Sequence, residues 1–191
     1  LSRDFITSCR ILLLDEYELP TALLAAGWAK EDGIKTVLDA ETPEEKELLP
    51  LIRLIDFLIV PERFAFGFSR ANDVRRASDF FLKQGAQAVV ITQGERGSFA
   101  ATEDKAFFQP AFNNVNIVDT TGCGDVFHGG FIYGILKGWP IEVISEFASA
   151  VAAIKCEKLG GRSGCPNFER VKDFLLSFGS RTVKPLLAKE A

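Results

Sequence analysis

Methionine is absent from this chain of 191 residues, and histidine occurs once. With Leu1 as first residue, the missing methionine leaves two expectations: a portion of a longer chain, or a sequence from which modified methionines have dropped out. Four cysteines, Cys9, Cys123, Cys156 and Cys165, are scattered without a Cys-x-x-Cys pair, and His128 is the lone histidine, which argues against a structural zinc site. Reduced, partly buried thiols are the expectation. Basic surplus is lacking too, since 22 Lys and Arg face 26 Asp and Glu for a net charge of −4. No broad basic surface therefore calls for nucleic acid or an anionic membrane. A small neutral or anionic ligand stays open, because backbone dipoles can hold one without net charge. No apolar run is long enough to span a bilayer, and Ile11 to Leu14 is too short for a signal-peptide core, so a cytoplasmic protein is expected.

What is present is ordinary globular material, 47% hydrophobic and 25% charged, enough for one core. A single domain over residues 1–180 and a tail over 181–191 are expected. Short β-branched or leucine-rich runs alternate with longer amphipathic stretches, the pattern of βαβ units around a parallel sheet. Strands are expected at Ile11–Asp15, Lys35–Asp39, Asp56–Val60 and Ala88–Thr92. Helices are expected at Pro20–Asp32, at Pro43–Arg53 behind a Thr42 cap with Pro50 a potential breaker, and at Asn72–Gln84 behind an Asn72 cap. Ser98–Ala101 and Lys105–Gln109 read as a hairpin around Glu103-Asp104. From Gly124 onward the pattern is helical, at Asp125–Lys137, Ile141–Lys158 and Phe168–Phe178.

The most informative stretch is Asp119-Thr120-Thr121-Gly122-Cys123-Gly124-Asp125-Val126-Phe127-His128-Gly129-Gly130. Two glycines around a small residue, directly before an apolar helix, leave backbone N–H groups unshielded at the positive end of that helix. Such an anion hole, built from Gly122, Cys123 and Gly124, suits a phosphoryl group in transfer. A carboxylate in the first helical turn, Asp125, can take the proton of an attacking hydroxyl. The alternative is structural: Asp125 complements the helix dipole and the glycines make a tight turn. His128, one turn on, reads as packing rather than proton transfer.

Val118 to Phe127 resembles the second signature of the ribokinase-like, or PfkB, carbohydrate kinase family, Asp-Thr-x-Gly-Ala-Gly-Asp-x-Phe, with Cys123 where that family has alanine. Ile91-Thr92-Gln93-Gly94-Glu95-Arg96-Gly97 is similar to the family's Thr-x-Gly-x-x-Gly after a sheet strand, and Ala148 to Pro166 to its small-residue helix and glycine loop. The resemblance implies a three-layer αβα sandwich with a largely parallel sheet. It implies ATP and Mg²⁺ as cofactors, and Asp125 as catalytic base. It also implies nucleotide contacts from Thr92, Gly94, Gly97 and Gly161, and a monovalent cation, K⁺ being the candidate, held with help from Asp119. The partner is a small-molecule sugar phosphorylated on a primary hydroxyl, and a homodimer is compatible with these features.

Two departures qualify it. The family's Asn-x-x-Glu is replaced by Val60-Pro61-Glu62-Arg63, as in ketohexokinase-like members, which with Phe127-His128-Gly129 leans toward a ketohexose over a nucleoside; Glu62 is expected in a salt bridge with Arg63 or a neighbour. The family's N-terminal third, with its lid and most sugar contacts, has no counterpart. Rival readings are a catalytically silent kinase homologue that binds nucleotide as a regulatory module, and a dinucleotide-binding oxidoreductase, which lacks its Gly-x-Gly-x-x-Gly at the first βα turn.

Overall fold

The computed structural model describes residues 1–42 and 46–180. Its contacts gather into two compact units, one of Leu1–Gln93 with Phe99–Phe108, the other of Gly94–Ser98 with the chain from Gln109 onward. Six strands form one sheet in sequence order: β1 (Ile11–Leu14), β2 (Lys35–Asp39), β3 (Phe57–Pro61), β4 (Ala88–Thr92), β5 (Gly97–Thr102) and β6 (Ala106–Pro110). The first four are parallel, with Ile11 opposite Lys35, Val37 opposite Phe57 and Phe57 opposite Ala88. β5 and β6 are neighbours joined by too few residues for a crossover, so they form the expected hairpin, with the Thr102 N–H donating to the Lys105 carbonyl.

In the first unit, β3 and β4 are continuous apolar runs because both faces are covered: Leu58, Ile59, Val60, Val89, Val90 and Ile91 are all buried. α1 (Arg3–Ile6) precedes β1, and α2 (Leu19–Glu31) follows it with Ala22, Ala25, Ala26 and Ala29 buried, small side chains that let its backbone lie close to its neighbours. The helix expected at 43–53 is shorter. A 3₁₀ turn at Lys46–Leu48 leads into α3 (Leu49–Ile52), where Pro50 sits in the first turn and loses no hydrogen bond, so it starts a helix instead of breaking one. Pro43 lies outside the described residues.

A helix that the pattern hid, α4 (Glu62–Ser69), follows β3; Phe64, Phe66 and Phe68 recur at the period of a strand, yet Phe64 and Ala65 are buried on a helix. α5 (Val74–Leu82) is capped by Asp73, whose side chain accepts from the Arg76 N–H, while the expected cap Asn72 accepts from the Arg76 side chain. Phe64 stacks on Phe81 at 6.2 Å between centroids and both are fully buried in this unit's core.

The second unit is built on α6 (Cys123–Leu136), α7 (Ile141–Lys155) and α8 (Phe168–Ser177). Its core joins Phe147, Ala150 and Ile154 of α7 to Val171, Phe174 and Leu175 of α8, and the rings of Tyr133, Trp139, Phe147 and Phe168 pack together 5.2–6.1 Å apart. α6 and α7 approach closely because Gly130 and Gly134 carry no side chain. A Cβ on Gly130 would lie 3.1 Å from Ala148 Cα, and one on Gly134 would lie 2.7 Å from Ile144 Cγ1. Among the described residues no helix is long and apolar enough to cross a membrane. The tail from Arg181 lies outside them.

Gly134→Leu should lower stability. Overpacking costs about 1–3 kcal/mol, more than the up to about 1 kcal/mol that leaving glycine returns in helix propensity. An unchanged urea midpoint would mean that α6 and α7 are not packed this tightly.

Candidate active site

The start of α6, the loop after α7 and the cavity beside them all belong to the second unit. α6 starts at Gly122, its N-cap, with φ 76° and ψ 8° and no side-chain cap. Two constraints require glycine there. The left-handed backbone disfavours a Cβ, and a Cβ would stand 2.9 Å from the Gly161 carbonyl oxygen. The start of α6 is thus seated against the loop that follows α7.

Asp119 holds the same two segments together. One carboxylate oxygen accepts from the Thr121 N–H at 2.9 Å, the other from the Gly160 N–H at 2.7 Å. These N–H groups, Thr121 first and Gly160 second, hold the Asp119 carboxyl at about 2, below its usual range. The Asp119 carbonyl accepts from the Lys155 ammonium at 2.9 Å, and Lys155 is fully buried at the end of α7. Gly164 lies against the Lys155 backbone, where a Cβ would collide with the carbonyl.

The consequence is a set of free donors. Of the expected Gly122, Cys123 and Gly124 amides, that of Cys123 is spent on the Thr120 carbonyl at 3.1 Å, and the first bond of the helix runs from Val126 to Gly122. The N–H groups of Gly122, Gly124 and Asp125 meet no acceptor among the described residues, so Asp125 takes the place of Cys123 in the donor set. A Cβ on Gly124 would meet nothing within 4 Å, so the space over this helix end is open. His128 is buried, with Nδ1 2.9 Å from the Gly124 carbonyl; this bond needs the proton on Nδ1 and supports the first turn from below.

Asp125 is exposed and lines a cavity of about 610 Å³. One face of α6, through Asp125, Gly129 and Tyr133, forms one wall. Phe147 and Phe168 form another, and Gly161 and Arg162 stand on the loop side. The volume suits a ligand of nucleotide size. The arrangement offers a carboxylate, three N–H donors at a positive helix end, a guanidinium and an apolar aromatic wall.

The family model for pfkB family carbohydrate kinases matches residues 2–167. The chain belongs to that family. It is 31% identical to a ribokinase of Haemophilus influenzae over 88% of this chain and 56% of that protein. The crystal structure of a ribokinase from Thermotoga maritima superposes with a TM-score of 0.79 at 26% identity, over 92% of this chain and 60% of that one. The structure of an Arabidopsis thaliana ribokinase complexed with ribose and ATP gives 0.80 at 23% identity, over 91% and 58%. The chain therefore spans a little over half the length of these relatives. The expected three-layer αβα fold with a largely parallel sheet stands.

The other residues expected from the PfkB pattern are placed as follows. Thr92 ends β4 in the first unit, its hydroxyl 3.5 Å from the Val60 carbonyl. Gly94 opens a 3₁₀ turn, Gly94–Arg96. Gly97 has a structural reason to be glycine, because a Cβ would collide with the Gln109 carbonyl. Glu62 accepts from the Gln93 side chain at 2.5 Å, and Arg63 pairs with Glu41. Among the described residues no three His, Cys, Asp or Glu side chains come together as a metal site. Around Asp119 both carboxylate oxygens and the carbonyl already have partners, the last of them a cation, so these atoms as placed do not fit a monovalent ion.

Sequence reasoning missed Lys155, Arg162 and the aromatic wall. Lys155 was detectable as the one cation in the apolar helix Ile141–Lys155, but a lysine in a last helical turn ordinarily just complements the dipole. Tyr133, Phe147 and Phe168 become one wall only through packing.

Asp119→Asn should destabilise the chain, because an amide nitrogen would face one of the two N–H donors. The sign with pH follows from the lowered pKa. Stabilisation by the carboxylate is complete above the unfolded value of 3.8 and is lost as pH falls through about 2. Urea unfolding should show the gap between the two proteins constant from neutral pH to about pH 4 and shrinking below it; a gap independent of pH would dismiss the assigned bonds.

Proposed function

We propose that this chain carries the phosphoryl-transfer site of an ATP-dependent sugar kinase that phosphorylates a primary hydroxyl of a sugar or sugar derivative. The observation that carries the reading is the coincidence at one helix end of three free N–H groups and the Asp125 carboxylate, open to one cavity. Membership of the PfkB family supports it.

Phosphoryl transfer asks little covalent chemistry of a protein and much positioning and charge stabilisation. The Gly122, Gly124 and Asp125 amides fit the charge that develops on the transferred group. Their directions are set beforehand by the Asp119 and Gly161 contacts, so no reorganisation is needed during the reaction. Asp125 accepts the proton of the sugar hydroxyl as its oxygen attacks the γ-phosphorus of ATP; the bond from that phosphorus to the bridging oxygen breaks and ADP leaves. The aromatic side of the cavity suits a purine ring, and Arg162 and the loop at Gly161 suit its phosphates. Mg²⁺ would supply positive charge that offsets that of the phosphates; with no group of three His, Cys, Asp or Glu side chains among the described residues to hold it, the nucleotide's own phosphates and few carboxylates would do so. Gly94 and Gly97, in the same unit as Gly161, are further nucleotide contacts in this reading. In this reading residues 1–180 belong to a single kinase domain, and the cytoplasm suits it.

With ATP, Mg²⁺ and a panel of hexoses and pentoses, Asp125→Asn should lower kcat by about 10²-fold or more while ADP affinity stays within a few-fold, since a general base acts on the transition state. Near-normal turnover would put the base elsewhere. Gly124→Asp tests the donors. The side chain has room, but its charge would occupy the anion site, so calorimetric titration should show binding of ADP with Mg²⁺ weakened about 10-fold or more, about 1.4 kcal/mol. Unchanged binding would mean that the phosphates sit away from this helix end.

A further inference from the structure

Cys123 and Cys156 bring their sulfur atoms to 2.8 Å across 33 residues of sequence. Cys123 is the first residue of α6 and Cys156 the C-cap of α7. Neither sulfur has a part in the proposed chemistry. The Cys123 N–H is spent on Thr120, and Cys156 contributes only its carbonyl, which accepts from the Val118 and Asp119 N–H groups. The remaining thiols offer no comparable pair: Cys9 lies in the first unit with its sulfur toward the Ile6 carbonyl, and Cys165 is exposed.

A disulfide bond is about 2.03–2.05 Å long, so these sulfurs need to close by less than about 1 Å to be joined. That shift would be imposed on the residue between Gly122 and Gly124, two places before Asp125. At a site that works by positioning, a displacement of about 1 Å costs on the order of 10²-fold in rate.

We propose that Cys123 and Cys156 are a reversible disulfide site, oxidised by low-molecular-weight disulfides, that ties the start of α6 to the end of α7 and turns the site off. Burial, with Cys156 alongside, pushes the Cys123 thiol up to about 12, so Cys123 keeps its proton at neutral pH and takes the second step. The Cys156 sulfur gives up its proton and attacks one sulfur of oxidised glutathione, expelling a glutathione thiolate that takes up that proton and leaving a mixed disulfide. The Cys123 sulfur then attacks the Cys156 sulfur and expels the second, which carries away the Cys123 proton. Two protein thiols and one glutathione disulfide become one protein disulfide and two glutathione thiols. Two electrons pass from the protein to glutathione.

The effect on turnover rests on the kinase reading above, whereas the bond itself is read without it. The full chain is brought to equilibrium with oxidised and reduced glutathione in graded ratios, free thiols are alkylated, and the digest is analysed by mass spectrometry. A cross-linked peptide pair containing Cys123 and Cys156, removed by dithiothreitol, is expected. In parallel, kcat should fall at least about 10-fold as the cross-link accumulates and should recover on reduction, and Cys156→Ser should keep its activity at every ratio. Free alkylated Cys123 and Cys156 at the most oxidising ratio, or cross-links to Cys9 or Cys165 instead, would overturn the site. A complete cross-link with unchanged kcat would overturn the switch. Lack of sugar kinase activity in the reduced protein would count against the kinase reading, and the peptide analysis would still decide the site.

Discussion

The contact between Gly122 and the Gly161 carbonyl sets what the rest of the site can be. Helix α6 must begin in a left-handed residue, at a place where even a methyl group has no room. An ordinary N-cap would turn a side chain back on the first amides and satisfy them. With glycine as the cap, the Gly122, Gly124 and Asp125 donors are left for something else. The same contact that excludes a side chain also brings the loop at Gly160 to Pro166 beside the helix end, so the cavity wall and the donors are placed by one packing decision.

Glycine alone would leave that turn loose, and the hydrogen bonds of Asp119 supply the stiffness. Its two carboxylate oxygens bridge Thr121 and Gly160, and its carbonyl receives the buried ammonium of Lys155. A fully buried lysine is costly unless paired. Here the partner is a backbone carbonyl in the segment that carries a carboxylate, so the pairing locks the turn to α7. Beneath it, the bond of His128 to the Gly124 carbonyl holds the first turn from the other side.

How much of this could be read from residues alone depended on range. The parallel strands were legible because buried runs such as Ala88–Thr92 are apolar without interruption. The Gly122 to Asp125 start of a helix was legible because its glycines and its acid lie within four residues. Features that need a second segment were not. The cap at Asp73 stands next to an equally plausible Asn72, and Pro50 starts a helix only because the preceding turn is 3₁₀. Phe64, Phe66 and Phe68 imitate a strand. The donor role of the Asp125 amide could not be seen either, because it follows from the Thr120 carbonyl capturing Cys123.

That capture bears on how the proposed base and anion hole could share one turn. A carboxylate next to a phosphoryl group is repelled by it, and Asp125 contributes both the carboxylate and one of the donors. The positive end of α6 offsets the repulsion, with donors fixed in place and Arg162 lining the same cavity. In the proposed reaction, as the proton moves to Asp125 its charge falls while charge on the transferring group is still spread over the oxygens. The repulsion is thus relieved as the transition state forms, and the fixed amides keep their full effect. Stabilisation that grows along the reaction coordinate is the kind that raises kcat rather than merely tightening the ground state. A turn whose direction is held by Gly122, Asp119 and Lys155 can deliver it without moving.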